Sequence, residues 1–256
     1  MWSLLKQPLV CIRFGRFEFS PRLVTTITVM LLMPVLLGLG HWQLNRGTEK
    51  AQRQLLLAER GRAEPMGLDR LTSLAGRGED IRYYSARLTG RFENQRSILL
   101  DNQPHDGRPG YHVLTPLVVG SGLVLVNRGW VPADPDRRRL PVIPPIEGQI
   151  SVLGRVQVPE SGFRLGDSVV ENEAFPLRVL QLDLAELKTR LGPELRGFVL
   201  QLDPKEPNGF LRDWQVGGLN PERHFGYAIQ WFALGTLLVL IYFVTNTHRV
   251  ENKNNA

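Results

Sequence analysis

The chain has 256 residues, 31 basic against 25 acidic side chains and a formal charge of +6, with one cysteine, Cys11, near its start. A single cysteine excludes an internal disulfide framework and a thiolate metal centre in the rest of the chain. The basic residues are scattered, and the one dense run, "DPDRRRLP", lies in a proline-rich loop. A solvated loop face is the expectation there, and no nucleic-acid partner is expected.

The N-terminal tail, residues 1–22, carries Lys6, Arg13, Arg16 and Arg22. An uncharged apolar run, "LVTTITVMLLMPVLLGLGHWQL", then spans residues 23–44. At about 1.5 Å rise per residue it covers the roughly 30 Å hydrocarbon core of a bilayer. Pro34 predicts a mild kink or a local break in its hydrogen bonding. The apolar core is too long for a signal peptide, and "GLGHWQLNRG" is a poor cleavage context, so the run reads as an uncleaved anchor. Behind it, "NRGTEKAQRQLLLAERGRA" reads as a polar helix with an apolar face at Leu55 to Ala58.

From Ile81 the periodicity changes to two. In "RYYSARLTGRFE", Tyr84, Ala86, Leu88, Gly90 and Phe92 alternate with polar neighbours, as a half-buried strand requires. "QISVLGRVQV" repeats the device with Ile150, Val152, Val156 and Val158 inward. Further strands are expected in "RSILLDN", "YHVLTPLVV", "GLVLVNRGWVP", "LRVLQLD" and "GFVLQLD", with turns at "DNQPHDGRPG" and "VVGSGL". One short helix, "DLAELKTRLG", interrupts them, with Asp183 as N-cap and Gly192 closing its C-terminus. The expected fold is two transmembrane helices flanking an extracytoplasmic α+β domain, mostly antiparallel, as a barrel or sandwich.

A second uncharged run occupies residues 225–244. His224, Tyr227 and Trp231 stand at i, i+3 and i+7 at its mouth, so their rings share one helix face. Two readings follow. Tyr and Trp form the interfacial aromatic belt and the His merely ends the span. Alternatively, an imidazole walled by aromatics ligates a metal or haem. Two spans put both tails, 1–22 and 245–256, on one side and residues 45–219 on the other. The positive-inside count is close to a tie, because Arg46, Lys50, Arg53 and Arg60 follow the first span. Large loops translocate largely regardless of charge, so the short tails, with Arg249 and Lys253 at the C-terminal end, weigh more and are expected in the cytoplasm.

No "GxSxG", "GxxxxGK[ST]", "HExxH" or CxxC occurs. His105 and His112 flank a Gly/Pro turn with Asp101 and Asp106 nearby, but no ordered ligand spacing supports a metal, and surface roles are the expectation. Nothing nominates a nucleophile or a paired acid and base, so the chain is not read as an enzyme.

Three patches carry a resemblance. "LGLGHWQLNR" supplies Gly40, Trp42, Gln43 and Arg46; "VLVNRGWVP" supplies Arg128, Gly129, Trp130 and Pro132; "HFGYAIQW" supplies His224, Tyr227 and Trp231. In this order, and flanked by these spans, they resemble the motifs of the Surfeit locus protein 1 family, membrane assembly factors of cytochrome c oxidase. The resemblance covers nearly the whole chain. It implies that the protein assists haem a insertion into, or stabilisation of, the oxidase catalytic subunit, beside the haem a synthesis and assembly proteins. It also implies a periplasmic main domain in a bacterial inner membrane.

Through the resemblance, haem ligation by His224 stands level with the belt reading. The macrocycle would lie against Trp42, Tyr227 and Trp231, with Arg46, Arg128 or Arg223 meeting the propionates. The bland role for each arginine is snorkelling at the interface. His41, near the same membrane level, is the other histidine considered as a second axial ligand. Two further classes stand beside the assembly factor. A two-span sensor whose extracytoplasmic domain binds a small ligand lacks an output module after the second span, and a haem-modifying enzyme lacks redox or acid–base residues. A membrane-anchored ligand-binding or scaffold protein without a haem role is the alternative to the assembly factor.

Overall fold

The computed structural model describes residues 10–159, 174–214 and 220–250. In chain order its elements are β1 (Ile12–Phe14), β2 (Phe17–Phe19), α1 (Leu23–Arg62), α2 (Leu68–Gly76), β3 (Ser85–Phe92), β4 (Ile98–Leu100) and β5 (Gly110–Val119). They continue with β6 (Gly122–Pro132), β7 (Gln149–Gln157), β8 (Leu177–Val179), α3 (Leu184–Leu191), β9 (Leu195–Leu202), α4 (Pro221–Asn246) and β10 (Thr247–Arg249). The chain divides into two compact units, Met1–Gln54 with Gly217–Ala256, and Leu55–Val216. Lys6 and Lys253 of the tails lie outside the described residues.

The first unit is a helix pair. α1 and α4 are long and apolar enough to cross a membrane, and only 6% and 11% of their most apolar windows are buried. The core helix of a soluble protein would bury most of such a window. α1 starts at Leu23 as expected, runs through Pro34 and does not stop at residue 44. The polar helix expected after the first span is its continuation. A proline removes one hydrogen bond, a loss that membrane helices absorb.

The helices run antiparallel along a seam whose spacing alternates between three and four residues. On α1 the shielded positions include Thr26, Val29, Met33, Leu36, Gly40, Gln43 and Gly47; on α4 they include Pro221, Phe225, Ala228, Phe232, Gly235, Val239, Tyr242 and Asn246. This 3.5-residue repeat is that of a coiled coil. A Cβ on Gly40 would stand 2.6 Å from the Phe232 ring, and one on Gly47 would stand 2.6 Å from the Phe225 ring. Each ring therefore occupies the space that a side chain would take. At the far end Thr26 and Tyr242 share a hydroxyl–hydroxyl hydrogen bond of 2.9 Å, and the Arg22 N–H donates to Asn246 Oδ1 at 3.0 Å. There β1, β2 and β10 form a three-stranded antiparallel sheet, absent from the sequence expectation.

The second unit is built on a seven-stranded sheet in the order β3-β7-β9-β6-β5-β4-β8. All seven strands fall in the expected segments. Leu123 and Leu125 of β6 join one core cluster with Leu187 and Leu191 of α3, while Val124 and Val126 join another with Leu68 and Leu71 of α2. The central strands are thus apolar on both faces, each covered by a short helix. Asp183 caps α3 as expected, accepting from the N–H groups of Ala185 and Glu186, and Gly192 ends it.

The expectation of a barrel or sandwich of mostly antiparallel strands is corrected in two respects. The sheet is mixed: β6 pairs with β9, and β4 with β8, in parallel. Nor does it close into a barrel, for β3 meets β5 only through Arg91↔Val118 and Phe92↔Leu117. Hairpin turns are written locally in the chain. Parallel partners such as Ile98 and Leu177 are set by distant packing, to which local periodicity is blind.

The stretch Arg128–Pro132 ends β6 at a bulge. Val113 pairs with Gly129 and Leu114 with Asn127, leaving Arg128 as the extra residue. Gly129 has φ 118°, and a Cβ there would lie 2.7 Å from the Leu211 carbonyl oxygen. Only glycine suits both conditions. Gly129→Ala should therefore destabilise the protein by about 1–3 kcal/mol. The check is urea unfolding of the detergent-solubilised chain followed by tryptophan fluorescence, where an unchanged midpoint would contradict the strained bulge.

Candidate functional site

α4 begins one residue after Asn220, whose Oδ1 accepts from the Arg223 N–H at 3.3 Å, with Pro221 in the first turn. This cap sets His224 in the first turn of the helix and fixes which way its ring leaves the axis. Its Nδ1–H donates to Gln43 Oε1 at 2.7 Å, across the seam from α1. That bond places a hydrogen on Nδ1, so that in a neutral ring the lone pair is on Nε2, the arrangement that metal-binding histidines use. Among the described residues Nε2 has no partner.

The other expected residues are placed as follows. Tyr227, one turn deeper, is exposed, and Trp231, a turn further, is half-buried. Trp42 is exposed beside Gln43 in the chain, and His41 is exposed. Arg46 forms an ion pair of 2.9 Å with Glu49, both side chains about half exposed. Among the described residues no hydrogen bond or ion pair joins Trp42, Arg46 or Arg223 to His224. What the structure brings together is His224 and Gln43. Gly40 has another job, admitting the Phe232 ring. The pairing of Gln43 with His224 is absent from the sequence expectation. Its one signal in the sequence is a polar amide inside an uncharged span, a helical turn from Gly40 and from Gly47.

The second motif patch belongs wholly to the β-rich unit. Arg128 is buried, its guanidinium donating to the Asn208 carbonyl at 3.1 Å and to the Pro144 carbonyl at 3.3 and 3.4 Å. It lies over the Phe210 ring at 4.9 Å and near Phe92 at 5.8 Å. Burial pushes its pKa down to about 10, still far above neutrality. Arg128 thus fastens two loops to the bulge and is enclosed in doing so, which does not suit the expected role of meeting a haem propionate.

Trp130 Nε1–H donates to the Gln103 carbonyl at 2.7 Å, and its ring lies 5.3 Å from His105. With Gln103, His105, His112, Asp213 and Trp214 it lines a cleft of about 310 Å³. His105 and His112 both line this cleft. Yet no group of three metal-binding side chains occurs among the described residues. Asp101 is nearly buried and ion-paired with Arg137, and it lies 3.8 Å from Arg178, so it is no metal ligand. His112 Nδ1 accepts from Asn127 Nδ2 at 3.4 Å, which requires a neutral ring, and the His112–Trp214 rings meet edge-on at 5.6 Å.

Residues 30–236, which include all three motif patches, match the SURF1 family. The chain belongs to that family. It is similar to the SURF1-like protein of Rickettsia bellii, 29% identical over 231 residues that cover 85% of this chain and 89% of the relative. The SURF1-like protein of Rickettsia felis is 27% identical over 229 residues, covering 86% of this chain and 96% of the relative. Similarity extends to the Surfeit locus protein 1 of Takifugu rubripes, 29% identical over 154 residues, 52% of this chain and 61% of that protein. Membership of the SURF1 family implies a cytochrome c oxidase assembly factor at the level of the family, which is a family of assembly factors rather than of catalysts.

Burial, and then the charge of His105, hold the His112 imidazole below the ordinary value of 6.5. The unfolded chain takes up that proton near pH 6.5, and the folded chain only at lower pH. Between the two values the unfolded state binds more protons, so this contribution is complete above pH 6.5 and is lost as pH falls through the folded value. The urea midpoint of the solubilised protein should drop from about pH 7.5 to about pH 5.5, with a shallower slope in His112→Gln. Equal slopes in the two proteins would remove His112 from the account.

Proposed function

We propose that this chain is a two-span membrane assembly factor that receives haem a at His224 and holds it for the catalytic subunit of cytochrome c oxidase. The observation that carries the reading is the His224–Gln43 hydrogen bond of 2.7 Å. It prepares one ring nitrogen as a donor to a metal, at a helix mouth where a flat apolar group can slide from lipid. When bound, haem a supplies an iron for Nε2 and a hydrophobic ring for the aromatic side chains. Tyr227, Trp231 and Trp42 are the walls available on the two helices. Arg46 and Arg223 are the candidates for the propionates. The Arg46–Glu49 pair is solvent-exposed on both sides and so is weak enough to exchange.

The low burial of both apolar helices supports membrane insertion. The arginines of the short tails, Arg13, Arg16, Arg22 and Arg249 against Glu18 among the described residues, support a cytoplasmic placement of both ends. The β-rich unit then lies in the periplasm of a bacterial inner membrane. A second reading, a membrane-anchored scaffold or ligand-binding protein without a haem role, draws on the exposed Tyr227 as a belt residue and on the cleft beside Trp130.

The optical spectrum of protein purified from cells that make haem a separates the two. The haem reading expects a bound chromophore that disappears in His224→Ala, with the helical circular dichroism unchanged. Gln43→Leu should keep the chromophore but weaken its affinity by about 10–100-fold, as loss of a partner that orients a ligand does. An unaltered haem complement in His224→Ala would leave the scaffold reading in place.

Orientation and cellular role have their own measurement. A periplasm-dependent reporter inserted near Gly107 should be active and one fused at the C-terminus silent. A deletion strain should make oxidase with less haem a and less activity, and full cofactor occupancy in that strain would contradict the assembly role.

A further inference from the structure

The small sheet formed by the two tails has one apolar and one polar face. Residues paired directly across antiparallel strands point to the same side. Ile12 pairs with Phe19 and Phe14 with Phe17, while Phe19 pairs with Thr247 and Phe17 with Arg249. One face therefore carries Ile12, Phe14, Phe17 and Phe19, with Thr247 and Arg249 at its margin. The opposite face carries the row Arg13, Glu18 and His248. Phe14 is 69% exposed and Phe17 is 55% exposed, so the apolar face is left uncovered at its outer end. Two neighbouring aromatics open to water are a liability unless something covers them.

The direction of that face is fixed by Phe19. Its ring packs on Tyr242 at 5.9 Å and on Phe243 at 5.5 Å, both in the last turns of α4. The strands are also tied to the helix ends. Ser20 N–H donates to the Asn246 carbonyl at 2.8 Å, and Val250 N–H donates to the Arg16 carbonyl at 2.9 Å. The apolar face thus looks back along the helices. Phe19 packs on the end of α4, and Phe14 and Phe17 flank the Gly15–Arg16 turn.

We propose that this sheet is an interfacial anchor, its Phe14–Phe17 tip inserted into the headgroup layer of a bilayer that carries anionic lipid. The inference rests on the reading that α1 and α4 cross the membrane. Under it, the apolar face meets the lipid that surrounds the helix ends, in continuity with the lipid-exposed surface of the spans. Aromatic rings favour that depth. Charge agrees: Arg13, Arg16, Arg22 and Arg249 outnumber Glu18 in the described tails, and Arg16 sits at the very tip. The polar row Arg13, Glu18 and His248 remains in water.

The test uses the full chain with Cys11→Ser, reconstituted in vesicles of mixed phosphatidylcholine and phosphatidylglycerol. Nitroxide labels are placed one at a time through Phe14→Cys, His248→Cys and Leu234→Cys. Collision with oxygen, which partitions into lipid, is compared with collision with an aqueous nickel chelate. The anchor expects the oxygen-to-chelate ratio at position 14 to exceed that at position 248 severalfold, and to fall severalfold in vesicles of phosphatidylcholine alone. Equal ratios at 14 and 248 overturn it, as does shielding of 14 from both agents, the sign of a protein partner. A ratio indifferent to lipid charge overturns the anionic preference. Leu234, exposed on α4, reports the spans independently. A chelate-accessible label there defeats the spanning reading, whereas a lipid signature there with a wet position 14 defeats the anchor alone.

Discussion

Two phenylalanine rings standing where two glycines have no side chain determine how this molecule's helix pair is assembled. In lipid the surroundings are as apolar as the helices, so burying leucine brings little and close packing supplies the cohesion. Gly40 and Gly47 let Phe232 and Phe225 come within a distance that any Cβ would forbid. Glycine and phenylalanine recur seven residues apart on their own helices, which fixes the register at two points. The register then decides every other pairing along the seam. Gln43 lies between the two glycines, where it meets His224, and at the far end Thr26 meets Tyr242 and Arg22 meets Asn246. Sliding one helix by a turn, about 5.4 Å, would break all of these together.

The β-rich unit solves a different problem. Its central strands β6 and β9 carry apolar side chains on both faces, and α2 and α3 cover one face each. Where β6 leaves this covered region it bulges, turns Arg128 into the loops at Pro144 and Asn208, and aims Trp130 toward the cleft. A buried guanidinium held by carbonyl groups rather than a carboxylate is costly to desolvate. The two flanking rings, Phe92 and Phe210, offset part of that cost. The same residues that look like a binding motif in the sequence thus act first as a fastening of local backbone.

Much of this is legible in the chain alone, and the exceptions share a cause. The two long apolar helices are legible because each uncharged apolar run is as long as a bilayer's hydrocarbon core is thick. The seven strands of the domain are legible because alternation such as Ala86, Leu88, Gly90 and Phe92 is local. α2 leaves no such trace: its two buried residues, Leu68 and Leu71, are too few to show a period. The parallel pairs and the tail sheet are hidden because their partners lie far apart, Thr247 with Phe19 being an instance. At the site, His224 is visible as a histidine at a helix mouth. Gln43 is visible as a motif residue but its partner is not, since the meeting depends on the helix–helix register and so on Gly40 and Gly47.

That dependence explains why a polar pair is tolerated in an otherwise apolar seam. A glutamine amide facing lipid would leave donors and an acceptor unsatisfied, at a cost of a few kcal/mol. Placed against His224 near the mouth of α4, its oxygen is satisfied and the imidazole is held in one tautomer. The pair therefore couples packing specificity to the orientation of the ring. A register that strands Gln43 in the seam without its histidine is penalised, so the helices favour the arrangement in which the ring is oriented. The glycines bring the helices close, and the amide makes the correct register the one in which the His224 ring is held by Gln43.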